Sequence, residues 1–261
     1  MININDITAE IEQLCGHKLN QDEGLLYGSP QKINKVTVCW MATPSAIAFA
    51  GQAGHDLIIC HESLFFPYGV VDALDEPEGW QNWKINEQRK ALLKKYNLSC
   101  LRIHGSADEI CVYDEFAKAL GLDKPAYRDG LIQIFDITPC RLEDLVKRVK
   151  EKVGMQSVRV ADVAGLQQKV AKVGLPWGGL GLFVNVDYQQ ALVKQGCDVF
   201  IAGESDNYGF RFAQENGIPM IETSHELSEN PGLKKFTQML SETFPKTEFR
   251  FYENDCVWKI V

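Results

Sequence analysis

An α/β fold with largely parallel strands is what this 261-residue sequence predicts, on three observations. Short β-branched and apolar runs alternate with stretches of helical period, the pattern of strand-helix-strand units. One stretch repeats another: AGHDLIICHES (53–63) and QGCDVFIAGES (195–205) match Gly54 to Gly196, Asp56 to Asp198 and Glu62-Ser63 to Glu204-Ser205. Three of the five histidines, His61, His104 and His225, follow apolar runs directly or within a residue or two, where open α/β sheets collect their ligands.

In chain order, Asn5 or Asp6 is positioned to cap a first helix whose inner face is Ile7, Ile11 and Leu14. KVTVCWM (35–41) reads as a strand, and TPSAIAFAGQAG as a helix with Pro44 in its first turn. DLIIC (56–60) is a strand ending at His61, and the acidic, aromatic stretch 67–84 is a loop. NEQRKALLKKYN is helical, LSCLRI a strand ending at His104, and DEICVYDEFAKALG an amphipathic helix. LIQIFDI, RLEDLVKRVKEKVG and SVRVADV form a strand-helix-strand unit. KVAKVGL (169–175) leads into a glycine-rich turn, PWGGLG. After it come the helix DYQQALVKQG, the strand DVFIAG, the helix NYGFRFAQENG and the strand IPMIET. The last long helix lies within HELSENPGLKKFTQMLSETF, and EFRFYEN and CVWKIV read as closing strands. The repeat organises these elements into two related lobes, 1–128 and 168–261, joined by a unit at 129–167.

Composition narrows the function. The 45% hydrophobic content suffices for a real core. A net charge of −8 argues against bulk nucleic-acid binding, which draws on Lys and Arg clusters. Eight cysteines without a C-x-x-C, several inside apolar runs, read as reduced core residues of a cytoplasmic protein. The N-terminal segment lacks the charged and apolar regions of a signal peptide. The uncharged stretch 36–54 is too polar for a membrane span.

The chemistry centres on the histidines. His104 and Asp108, and His225 and Glu229, share an H-x-x-x-acid spacing, which puts both side chains on one face of a helix. Imidazole with carboxylate is a donor set for zinc, manganese or iron. The structural alternative for each histidine is a strand-end cap or surface residue, and His17 and His55 are read that way. Glu62 and Glu204, equivalent in the repeat, are candidate general bases, with N-cap or surface roles as the alternative. Gly178, Gly179 and Gly181 can present backbone N–H groups to an anion or form a tight strand-to-helix turn. Neither a P-loop ending nor an H-E-x-x-H pair is present.

The blocks KVTVCWMATPSAIAFAGQAGHDLIICHESLFF, LRIHGSADE and CDVFIAGESDNYGFRFAQENGIPMIETSHELSE resemble the Nif-three-like dinuclear metal-centre proteins, often called GTP cyclohydrolase 1 type 2 homologues. The resemblance implies a metal cleft between the lobes holding two divalent ions. It implies His61, Asp108, His225 and Glu229 as ligands, with Glu229 a candidate bridge. It puts His104 next to the site and leaves open whether it is a ligand. It also implies a homo-oligomer, up to a hexameric ring. Two departures stand out: Glu62 and Ser63 replace a second histidine and a proline, and Met41 stands where an aspartate is common. Glu62 can still ligate, adding an anionic oxygen. The expected activity is a metal-dependent hydrolase in which metal-activated water attacks a small, nucleotide-like substrate. The alternative is a non-catalytic metal-binding or regulatory oligomer.

Overall fold

A computed structural model describes residues 2–29, 32–67 and 77–261. Among these, the strands in chain order are β1 (Gly24–Tyr27), β2 (Lys35–Cys39), β3 (Leu57–Cys60), β4 (Ser99–Arg102), β5 (Tyr127–Asp129), β6 (Ile132–Arg141), β7 (Arg159–Ala161), β8 (Lys169–Gly174), β9 (Val199–Ala202), β10 (Met220–Glu222) and β11 (Glu248–Tyr252). The helices are α1 (Ile4–Cys15), α2 (Pro44–Gln52), α3 (Lys84–Tyr96), α4 (Gly105–Ala107), α5 (Tyr113–Ala119), α6 (Leu142–Val153), α7 (Val186–Lys194), α8 (Asn207–Glu215) and α9 (His225–Thr243). The chain divides into two compact units, Met1–Val112 with Gly232–Asn254 and Tyr113–Pro231 with Asp255–Val261.

The first unit holds a sheet in the order β1-β4-β3-β2-β11. β2, β3, β4 and β11 pair in parallel, and β1 closes the edge antiparallel to β4. The LIIC and SCLR runs are buried at every position, as a strand covered on both faces must be. Their inward side chains meet Ala46, Ile47 and Ala50 of α2 and Leu93 of α3 in one apolar cluster. Each such residue, fully removed from water, contributes roughly 1.5–3 kcal/mol for Leu or Ile. Thr43 caps α2 through the Ala46 N–H, and Pro44 occupies the first helical turn, where its missing N–H costs nothing.

α1 departs from expectation at both ends. Asn3, rather than Asn5 or Asp6, is the cap, with Asp6 closing a reciprocal capping box onto the Asn3 N–H. The buried face is Ile4, Ile7 and Ile11, and Leu14 is 41% exposed. The stretch 67–84 lies partly outside the described residues, and Trp80–Asn82 form a 3₁₀ turn ahead of α3. The helix expected from Asp108 begins earlier, at Gly105, and widens into a π turn over Asp108–Val112.

The second unit holds a sheet in the order β5-β6-β8-β9-β10-β7. Its centre, β8-β9-β10, is parallel, and the outer pairings are antiparallel. The stretch 129–167 thus supplies β6 and β7 to this sheet. Phe200, Ala202 and Met220 pack with Leu192 of α7 and Ala213 of α8. Residues 256–261, expected as a strand, form none. Val257 and Ile260 are exposed, and apolar composition without a ladder partner does not make a strand. No helix among the described residues is long and apolar enough to cross a membrane.

The repeat is visible in the backbone. β2-α2-β3-α3-β4 and β8-α7-β9-α8-β10 share one order of adjacent parallel strands. Gly54 and Gly196 both take positive φ, 67° and 78°, at the turn before the second strand. Asp56 then accepts from the N–H groups of Asn34 and Lys35, as Asp198 does from Ala171 and Lys172. A carboxylate on two strand amides is a charge-assisted clamp, and it recurs in both halves.

Register corrects one detail of the match. Cys60 faces Arg102 across β3 and β4, and Ala202 faces Glu222 across β9 and β10. With Glu62 matched to Glu204, His104 therefore corresponds to Ser224, and His225 to Gly105. The two H-x-x-x-acid pairs sit one residue apart in register, so their common spacing is not inherited from the repeat.

Candidate metal centre

In the first unit, the parallel pairing of β3 and β4 brings their carboxyl ends side by side. The Ile103 N–H donates to the Cys60 carbonyl, carrying the ladder one residue past β4. His61 and Glu62 leave the end of β3, and His104 leaves the end of β4. The His61 ring is fully buried, and its Nδ1–H donates to the Ile103 carbonyl at 3.1 Å. That bond sets the tautomer, so the lone pair lies on Nε2, which faces the Asp108 carboxylate at 3.6 Å. The His61 and His104 rings stand 4.8 Å apart at 62°. His61, Glu62 and His104 each offer a donor atom, all within 4.8 Å of one another.

Three residues that sequence reasoning missed organise this group. Asp22 accepts from His104 Nδ1 at 2.9 Å and pairs with Arg102 Nη1 at 3.0 Å. The hydrogen bond from His104, and secondarily the Arg102 charge, hold the Asp22 carboxyl below its ordinary range. Glu23 accepts from the His104 and Ser106 N–H groups and from the Ser106 hydroxyl, which pins the turn that carries His104. Arg102 is buried, donates through Nε to the His61 carbonyl and reaches Glu62 at 4.0 Å. A loop acid more than eighty residues away leaves no periodic trace beside a histidine, and the QDEG run carries no motif.

In the second unit, His225 opens α9 immediately beyond β10. Its Nδ1–H donates to Glu204 Oε2 at 3.0 Å, and Nε2 faces Glu229 Oε1 at 3.3 Å, one helical turn on. The Glu204 side chain is 46% exposed, whereas Glu229 is buried. Glu204, read from sequence as a candidate base, is thus placed against the outer nitrogen of His225. The glycine turn lies against the same pair. Gly178 has φ +52°, and a Cβ there would run into the Glu229 carboxylate and come 3.3 Å from His225 Nε2. The Gly178 N–H donates to Ser228 Oγ, and its carbonyl accepts the Glu204 N–H. The carbonyls of Gly179 and Gly181 accept from Asn185 and Ser205. These bonds make the turn a bed for the start of α9.

The first-unit donors His61, Glu62 and His104 could hold a divalent cation, and His225 with Glu229 offers a nitrogen and an oxygen donor of the same kind in the second unit. Both histidines are locked through Nδ1 with Nε2 turned toward a carboxylate, the arrangement in which imidazole binds metal. Glu62 and Glu229 are 6% and 3% exposed, and positive charge stabilises carboxylates so deeply buried; Arg102 supplies it at Glu62, and a divalent ion would add to it at either. Nitrogen and oxygen together suit zinc, manganese or iron. His17 is exposed and bonds Glu109, and His55 is buried on Thr37 Oγ1, so both fill structural places. All eight cysteines are free thiols, five of them buried.

A family model described as Duf34/NIF3 (NGG1p interacting factor 3) matches residues 2–256. The GTP cyclohydrolase 1 type 2 homolog of Clostridium perfringens is 23% identical over 257 residues, covering 92% of this chain and 92% of its own. The protein NIF3 homolog of Schizosaccharomyces pombe is 33% identical over 109 residues, 41% of this chain and 36% of its own. Among solved structures, the Bacillus cereus protein related to NIF3 aligns with a TM-score of 0.78 at 15% identity, covering 100% of this chain and 99% of that one. At that identity the likeness is one of fold.

Proposed function

Because this chain belongs to the Duf34/NIF3 family, we propose that it binds divalent metal ions and acts as a metal-dependent hydrolase on a small, nucleotide-like substrate. His61, Glu62 and Asp108 would hold metal in the first unit, and His225 and Glu229 in the second. The observation that carries this reading is His225, bonded through Nδ1 to Glu204 and facing buried Glu229 through Nε2. Metal-ligating histidines are typically backed in this way by a carboxylate, which raises their basicity and fixes the ring.

A bound divalent ion would supply Lewis acidity, polarising an electrophile and making water a better nucleophile at neutral pH. The protein's own groups do the rest. Glu62 presents a carboxylate beside His61 that can take a proton at Oε, with the Arg102 guanidinium 4.0 Å away offsetting its charge. Glu204 positions His225. The name of the Clostridium relative supports a substrate of the nucleotide class.

The test is metal analysis of purified protein beside a His225→Ala, Glu229→Ala double variant. The intact chain is expected to carry up to two first-row divalent ions, and the double variant to lose most of its metal. Unchanged metal in the variant sinks the assignment. Hydrolysis of cyclic and nucleotide-like compounds that stops on chelation and returns with metal supports catalysis. Retained metal with no turnover on any of them would favour the non-catalytic reading.

A further inference from the structure

The family resemblance puts His104 beside the metal centre and leaves its role there open. The geometry points to one role in this chain: His104 is itself a ligand, forming with His61 and Glu62 a set of two imidazoles and one carboxylate, and Asp22 is the residue that aims it. The inference rests on the metal-binding reading above and extends it.

Three observations support it. The donor atoms of the three side chains lie within 4.8 Å of one another. Nitrogen and oxygen bonded to zinc at about 2.0–2.2 Å stand roughly 3–4 Å apart, a spacing that small side-chain rotations reach from here. Second, Asp22 takes the Nδ1–H of His104, so the lone pair is on Nε2. This is the same device that Glu204 applies to His225 in the other unit, built from a loop residue with no counterpart in the repeat. Glu23 fixes the backbone of the same histidine, so both ring and main chain are held before any metal arrives. Third, the His61 and His104 rings stand with centroids 4.8 Å apart at 62°, close enough for one cation to take a donor from each.

The consequence is chemical. Glu62 gives this group an oxygen donor beside His61, and His104 adds a second nitrogen from the end of the neighbouring strand. Two imidazoles with one carboxylate favour Fe(II) or Zn(II) over Mg(II) or Ca(II), and they leave further positions on the ion for substrate and water.

The experiment uses the full chain, stripped of metal and titrated with Co(II). It is followed by visible absorption and by competition with a chromophoric chelator. His104→Ala is expected to weaken one binding step by at least about tenfold and to shift the Co(II) bands. Asp22→Ala should weaken that same step by about 10–100-fold with the bands largely in place, as for other groups that orient a ligand. Asp22→Asn, whose amide oxygen can still accept from Nδ1–H, should fall between Asp22→Ala and the unaltered protein. His61→Ala serves as the control and should abolish the step. If His61→Ala removes the step while His104→Ala leaves affinity and spectrum unchanged, His104 is not a ligand and the metal reading stands. If neither substitution changes Co(II) binding, the metal reading of the first unit falls, and that of His225 and Glu229 is decided by their own double variant. Thermal melts of each variant establish folding. Should His104→Ala not fold, His104→Gln and the Asp22 variants carry the same comparison.

Discussion

Nδ1 of His225 lies 3.0 Å from Oε2 of Glu204, while Nε2 of the same ring lies 3.3 Å from Oε1 of Glu229. One imidazole therefore spans an exposed carboxylate and a buried one, with Nδ1–H committed to the exposed side. Glu204→Gln keeps an oxygen acceptor and removes the charge. Zinc affinity is expected to fall by about 10–100-fold in competition titrations, with little change in melting temperature of the metal-free protein. Equal affinity in variant and parent would reduce Glu204 to a surface contact.

Gly178 offers a backbone test of the same site. Its φ of +52° and its closeness to Glu229 leave no room for a side chain. Gly178→Ala should lower stability by about 1–2 kcal/mol from the left-handed backbone alone. It should also displace the Glu229 carboxylate and reduce bound metal. Denaturant melts and elemental analysis of one preparation measure both, and normal metal content would show that the Glu229 position is not critical.

Glu62 is where the sequence departs from the pattern that the family resemblance implies. An anionic oxygen beside His61 and Asp108 concentrates negative charge that a cation must offset, so metal-free protein should melt below metal-loaded protein. Glu62→His removes one charge and supplies a softer donor. The expected result is a higher preference for zinc over manganese and a smaller gap between the two melting temperatures. If competitive titration finds the preference unchanged, Glu62 does not touch the metal.

His55 predicts a pH effect remote from the metal donors. Burial lowers its pKa from the ordinary 6.5, with Glu248 and Asp56 opposing and Arg250 and Lys35 adding to the effect. Well above pH 6.5 the ring is neutral in both folded and unfolded chains and contributes no pH dependence. As pH falls below about 6.5 the unfolded chain takes up a proton that the folded chain resists, so stability declines. His55→Gln should flatten that decline in urea melts between about pH 7 and 5, and an unchanged slope would assign it to other groups.

Much of this fold is legible because its cues are local. The KVTVC, LIIC, SCLR and VFIA runs declare strands by composition, and Thr43 with Pro44 declares a helix start. β1 and β5 escape notice because GLLY is an edge run with no buried residue and YRD is exposed throughout, so neither shows the buried apolar run that marks those four. CVWKIV misleads for the converse reason: it has the composition of a strand and no ladder to join. The donor residues His61, His104, Asp108, His225 and Glu229 stand out because each lies just past a strand or one helical turn beyond. Asp22, Glu23 and Arg102 do not, since nothing in their neighbours' spacing marks them.

The amino-acid sequence by itself determined the α/β class, the duplicated strand-helix-strand frame and the candidate histidines, because side-chain periodicity and repeated residues act over a few positions. Only the tertiary structure decided the register that separates His104 from His225 by one residue. Likewise it alone put Asp22 on the outer nitrogen of one histidine and Glu204 on that of the other. Hydrogen-bond partners across a sheet or a loop are selected by packing and by the need to satisfy buried polar groups, and neither constraint is written in the spacing of neighbouring residues.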